Sequence, residues 1–110
     1  MDERTRDRLK AAQAFAEHAI VAGKRFDYAN DPLGMAAVAH LIEQVGEQFA
    51  AVRRADPEFV ASHPEIPWRK VEGMRHRVAH EYSKVDPEIV RGVLGTHLPA
   101  LLRQIGRILR

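Results

Sequence analysis

Between Met74 and Tyr82 the chain reads MRHRVAHEY, which places two arginines (Arg75, Arg77), two histidines (His76, His80), one glutamate and one tyrosine in nine positions. Only Met74, Val78 and Ala79 in that stretch can face an apolar core. Histidine titrates near neutrality and can carry a proton to or from a hydroxyl or a leaving oxygen. Arginine stays charged, can hold a phosphate and can stabilise the charge that builds on it in a transition state. These residue types suit cleavage of an RNA phosphodiester. There the neighbouring 2′-hydroxyl is the nucleophile, so neither a metal nor a protein nucleophile is needed.

Helical geometry limits what one copy of the stretch can do. At about 100° per residue, Arg75 and His80 diverge by about 140° and do not share a narrow stripe. A second copy brought in by a twofold axis could complete a site around one phosphate, since symmetric dimers repeat the same patch on both partners. His76 and His80 are four apart and do share a face. They could instead ligate a metal at helical spacing, although no third ligand is assigned to accompany them. A single helical histidine is also commonly structural or merely exposed, and a tyrosine such as Tyr82 commonly packs half-buried with a wet hydroxyl. Glu47, four residues after Glu43, is solvent-exposed by default, and His18, His40, His63 and His97 are scattered with no role assigned.

The wider charge pattern is local. From Arg69 to Arg77 there are four cationic side chains (Arg69, Lys70, Arg75, Arg77) against one anion, Glu72, while the whole chain carries a net charge of only +2. A basic patch is one reading of that run, and a solvated helix face is the ordinary one. With 110 residues, 45% hydrophobic and 29% charged, the chain has room for a single folded domain with one modest core. No apolar run approaches the roughly 18 residues that span a bilayer, and Met1-Asp2-Glu3-Arg4 lacks the layout of a signal peptide, so a cytoplasmic protein is expected. The absence of cysteine excludes disulfides and thiolate chemistry, and leaves any metal site to His, Asp and Glu.

The elements that must position these residues follow from apolar spacing. Leu9, Ala12, Phe15, Ala16, Ala19 and Ile20 predict a first helix from Arg4 to Val21, stopped at Gly23. Phe26 and Tyr28, in the connection that follows, are expected to fold back onto the core. Asp31-Pro32 reads as N-cap and first helical residue of a second helix, with Val38, Leu41, Ile42, Val45, Phe49 and Val52 on one stripe and an end near Ala55. Pro57, Pro64 and Pro67 then predict a surface loop with short turns. Trp68, Val71, Met74 and Val78 are the stripe of a third helix reaching about Tyr82. Asp86-Pro87 opens a short fourth helix with Ile89, Val90, Val93 and Leu94. Apolar spacing resumes at Leu98, Leu101, Leu102, Ile105 and Leu109 after a break around Gly95 to Pro99. No period-two strand pattern occurs, so an all-α bundle of four to five helices is predicted.

The spacing Arg75, four residues, His80, one residue, Tyr82 resembles the R-x-x-x-x-H-x-Y motif of the HepT-like toxins, a branch of the HEPN superfamily of small helical RNases. Its setting is similar too. HPEIPWRKVEGMRHRVAHEYSKVDPEIV, from His63 to Val90, resembles that family's stretch through the third helix, and LIEQVGEQFA and LPALLRQI resemble its flanking helices. The resemblance covers most of the chain from Asp31 onward. It implies one HEPN domain over residues 1–110 that forms a homodimer, with the two motifs in one cleft acting as a metal-independent RNase without a cofactor. Arg75 and His80 are then the catalytic residues. The position after the arginine is most often asparagine in that family and is His76 here, which leaves open whether His76 assists the chemistry or binds phosphate, with Arg77 as a supporting phosphate-binding residue. Glu47 takes the place of an acidic residue that orients the site. The resemblance further implies RNA, with tRNA as target, a nucleotidyltransferase antitoxin as partner, and Tyr82 as acceptor of AMP. A reading from a different class is a dimeric HEPN module that docks a nucleotidyltransferase without cutting RNA, and growth arrest on expression of this chain alone would favour the toxin.

Overall fold

Asp31-Pro32, Asp56-Pro57 and Asp86-Pro87 each start a helix in the computed structural model, and for one physical reason. The carboxylate accepts an N–H of the first turn, while proline, whose missing N–H would have no partner there, takes the first helical position. Asp31 accepts from Leu33, Asp56 from Phe59 and Asp86 from Glu88. The structure describes residues 1–79 and 84–110, with the backbone alone at 76–79.

The elements are α1 (Glu3–Arg25), α2 (Pro32–Ala55), the short α3 (Pro57–Ala61), α4 (Trp68–Ala79), α5 (Pro87–Gly92), a π-helical turn (Val93–His97) and α6 (Leu98–Leu109). No strand occurs among the described residues, and the fold is the expected all-α bundle. Asp2 caps α1 by accepting the Thr5 N–H at 2.8 Å, and the buried Thr5 hydroxyl donates to Asp56 Oδ2 at 2.8 Å. The start of α1 is thereby tied to the end of α2, so the two long helices run antiparallel. Arg6 Nη2 donates to the Leu109 carbonyl at 2.9 Å, which sets α6 antiparallel to α1 on its other side.

Small residues at helical spacing on α1, Ala12, Ala16 and Ala19, are buried with Leu9 in one core with the fully buried Val38, Ile42, Val45 and Phe49 of α2. The helix α4 closes on the opposite side of α2. Trp68 packs against Phe49 with ring centroids 5.1 Å apart and planes inclined by 42°, Phe59 meets it nearly at right angles at 6.1 Å, and the indole N–H donates to the His63 carbonyl at 3.0 Å. The predicted proline-rich surface loop therefore also contributes core residues, Phe59 and Ile66. Among the described residues no helix is long and apolar enough to cross a membrane.

Three expectations are corrected. Gly23 does not stop α1, which continues to Arg25; a Cβ at position 23 would lie 2.5 Å from Leu94 Cδ1, so the glycine serves a close approach between α1 and the π-helical turn. Phe26 remains 46% exposed, although Tyr28 does pack against the core. The expected break around Gly95 to Pro99 is a π-helical turn instead: the Leu98 N–H reaches back to the Val93 carbonyl, and Gly92, Val93, His97 and Leu98 all keep right-handed helical angles. Proline at position 99 would crowd the carbonyl of residue 95 in a regular helix, and a wider turn gives it room without breaking the run.

Candidate active site

Among the site residues singled out in the sequence, Arg75 and Glu47 are described with their side chains, and the fold brings them together. Arg75 Nη1 donates to Glu47 Oε1 at 2.6 Å, the short distance of a charge-assisted bond. His76 and Arg77 lie on the described backbone of α4, but their side chains lie outside the described residues, as do His80 and Tyr82 altogether. The expected end of this helix near Tyr82 falls in the same segment.

The seating of Arg75 is built from α4 upward. Trp68, Val71 and Met74 are buried in the bundle, which fixes the rotation of the helix about its axis and turns Arg75 toward α2. The facing position on α2 is Gly46. A Cβ there would lie 3.0 Å from Arg75 Cβ, 3.2 Å from the Val71 carbonyl oxygen and 3.4 Å from the Arg75 nitrogen, tighter than ordinary packing. The two backbones approach because this side chain is missing. Glu47, the next residue, then meets the guanidinium. The Arg75 side chain is 23% exposed and that of Glu47 43%, so the pair sits at the edge of the seam with a path to solvent.

One turn before Arg75 on α4, Glu72 makes a second bridge. Its Oε2 accepts from Arg53 Nε at 2.7 Å, with the carboxylate side chain 10% exposed and the arginine side chain 47%. That hydrogen bond, with the charge behind it, holds the Arg53 guanidinium protonated more firmly than usual. Among the described residues, these two ion pairs cross the same seam. Arg54, Arg69 and Lys70 are exposed.

Sequence reasoning missed Gly46 and the Arg53–Glu72 pair. A signal for each is present. Gly46 interrupts the apolar stripe of α2 between Val45 and Phe49, and an interior helical glycine commonly marks a packing constraint. Glu72 is the single acid in the basic run, three residues before Arg75 and hence on a neighbouring part of the same face.

Chemically, a guanidinium held by a carboxylate presents a planar fork of donors in a defined plane, suited to a phosphate. Among the described residues no group of three or more His, Cys, Asp or Glu is placed to hold a metal ion. A separate groove of about 500 Å³ opens between α4 and the α5–α6 run, with Val71, Met74, Val93 and Leu101 along it and Lys70 and Glu88 among its polar residues. Arg75 and Glu47 are not part of it.

Comparison with known proteins adds to this geometry. The profile of the family described as ribonuclease HepT-like matches residues 8–108. A protein of Caldanaerobacter subterraneus subsp. tengcongensis, provisionally named an RNase, is 30% identical over 112 residues, which covers 93% of this chain and 97% of the relative. A provisionally named ribonuclease HepT of Thermococcus cleftensis is 32% identical over 75 residues, covering 68% of this chain and 66% of the relative. A further provisionally named RNase, of Methanocaldococcus jannaschii, is 24% identical over 84 residues, or 76% and 67% of the two chains. No solved structure gives a significant match.

Proposed function

The chain belongs to the HepT-like ribonuclease family of the HEPN superfamily, and from that premise we propose that it is a metal-independent endoribonuclease toxin that acts as a homodimer on RNA, with tRNA as its target. Arg75 holds the scissile phosphate and stabilises its developing charge. His80 moves a proton at the reacting centre. The 2′-oxygen attacks the adjacent phosphorus as its proton leaves, and the bond from phosphorus to the 5′-oxygen breaks as that oxygen gains a proton. The products are a 2′,3′-cyclic phosphate and a 5′-hydroxyl. Because helical spacing of the sequence predicts about 140° between Arg75 and His80, the reading joins the arginine of one protomer with the histidine of its partner, and dimerisation is part of the mechanism.

The observation that carries this reading is the Arg75–Glu47 bond of 2.6 Å. It supports an arginine oriented by a carboxylate at the position that the R-x-x-x-x-H-x-Y spacing assigns to catalysis. His76 and Arg77, next in the sequence, are assigned to binding phosphate in this reading. A nucleotidyltransferase antitoxin adding AMP to Tyr82 would place negative charge and bulk beside this run and compete with RNA phosphates for Arg75.

The test is cleavage of total tRNA in EDTA by the purified protein, beside His80→Ala and Arg75→Ala. The unaltered protein is expected to cut, and each variant to lose activity by about 10²–10³-fold while keeping its helical circular dichroism. Cleavage by His80→Ala at the original rate would remove the catalytic assignment. No cleavage by any of the three folded proteins would favour a module that docks a nucleotidyltransferase.

A further inference from the structure

The seam between α2 and α4 contains more organisation than two packed helices require. Interior helical glycines cost stability because their backbone is freer in the unfolded chain. At Gly92 and Gly106 an added Cβ would meet nothing within 4 Å among the described residues. At Gly46 the three nearest atoms all belong to α4, and two of them belong to Arg75. Those atoms are a Cβ, a backbone nitrogen and a carbonyl oxygen, none of which can rotate aside as the end of a flexible side chain could. Any side chain at position 46 must therefore move the α4 backbone at Arg75 itself. Further along the seam, the Arg53–Glu72 bridge resists sliding of α4 along α2.

We propose that Gly46 is a positioning residue for Arg75, setting the depth at which α4 seats on α2, while the Arg53–Glu72 pair fixes its register, so that the guanidinium meets both Glu47 and the RNA phosphate. The inference rests on the reading of Arg75 as the phosphate-holding group. A displacement of a few tenths of an ångström matters because the 2.6 Å bond to Glu47 leaves little slack and transition-state contacts are steeply distance-dependent. Alanine has the higher helix propensity, so Gly46→Ala gains local helix stability while it disturbs the seat. Activity and stability are thereby uncoupled.

The experiment compares Gly46→Ala with Gly106→Ala, the same exchange at an open helical position, each in the original protein and in Arg75→Lys. Readouts are kcat and KM on tRNA in EDTA, and the thermal midpoint. Gly46→Ala is expected to lower kcat on the order of tenfold with a smaller change in KM and a thermal midpoint within a few degrees. In the Arg75→Lys background it should add less than a twofold loss. Gly106→Ala should leave both parameters unchanged. An unaltered kcat in Gly46→Ala, or the same loss in both backgrounds, overturns the proposal. If Gly46→Ala does not fold, the register lock is tested alone: Arg53→Glu is expected to lower kcat, and Arg53→Glu with Glu72→Arg to restore at least half of it. No restoration overturns the role of the pair. If the unaltered protein cuts no RNA, the RNase reading fails separately. Positioning is then read from thermal midpoints of Gly46→Ala and Glu47→Gln, singly and together. Non-additive shifts support contact through Arg75, and additive shifts overturn it.

Discussion

The two sides of α4 are built in opposite ways. Toward α2 the helix lies against a glycine, with Trp68 packed at a tilt against Phe49 and, among the described residues, two ion pairs across the seam. Toward α5 and α6 it borders a groove of about 500 Å³ whose lining includes Met74 and Val93. Close-packed interfaces transmit small volume changes as displacement, whereas an open groove absorbs them. The contrast explains how one helix can hold a chemically demanding arginine to a fixed place. Its position is set from the α2 side, and the face toward α5 and α6 adds little constraint.

Breaking the packed side should therefore have the largest effect. Phe49 is fully buried and lies between Gly46 and Arg53 on α2, against the Trp68 ring. Phe49→Ala is expected to cost about 3–5 kcal/mol in urea denaturation followed by Trp68 fluorescence, because the cavity opens where α2, α3 and α4 converge. A loss below about 1 kcal/mol would show that α4 is seated by something other than this contact. A smaller and asymmetric effect is expected at the outer ion pair. Arg53→Ala leaves a nearly buried carboxylate without its donor, while Glu72→Ala leaves an arginine that water already reaches. The thermal midpoint should fall further for Arg53→Ala than for Glu72→Ala. Equal losses would mean that Glu72 is solvated in solution and that the seam is looser than its geometry.

What the sequence discloses about this seam follows the range of the interactions involved. The starts at Asp31-Pro32 and Asp86-Pro87, and the end of α2 near Ala55, are legible because a cap needs only residues two or three apart, whereas Asp56-Pro57 reads only as the entry to a loop and in the fold caps the short α3. The stripe Trp68, Val71 and Met74 is legible from helical period, and all three residues are buried as that period requires. Gly23 misleads because a glycine that ends a helix and one that admits Leu94 from a distant segment look alike in one dimension. Pro99 suggests a break for a related reason, since a π-helical turn removes its clash without any local marker. At the site, Arg75 and Glu47 are reached through family resemblance, but neither period nor spacing indicates that they touch. Gly46 and the Arg53–Glu72 bridge escape a reading in one dimension, because their meaning arises only when two helices are laid together.

The open side of α4 offers the smallest effect and the sharpest control. Gly92 ends α5 with helical angles, φ −62° and ψ −42°, and borders the groove. A Cβ added at this position would meet no atom within 4 Å among the described residues. Alanine there restricts the unfolded chain and disturbs no described neighbour, so Gly92→Ala should stabilise the protein by about 0.5–1 kcal/mol. The same exchange at Gly46 sets its helical gain against the backbone of α4. If Gly92→Ala instead lowers the thermal midpoint, something fills the groove in solution. Repeating the melt across a hundredfold range of protein concentration then decides what it is, because a loss that depends on concentration points to a second copy of the chain and a constant loss to a neighbour within the same chain.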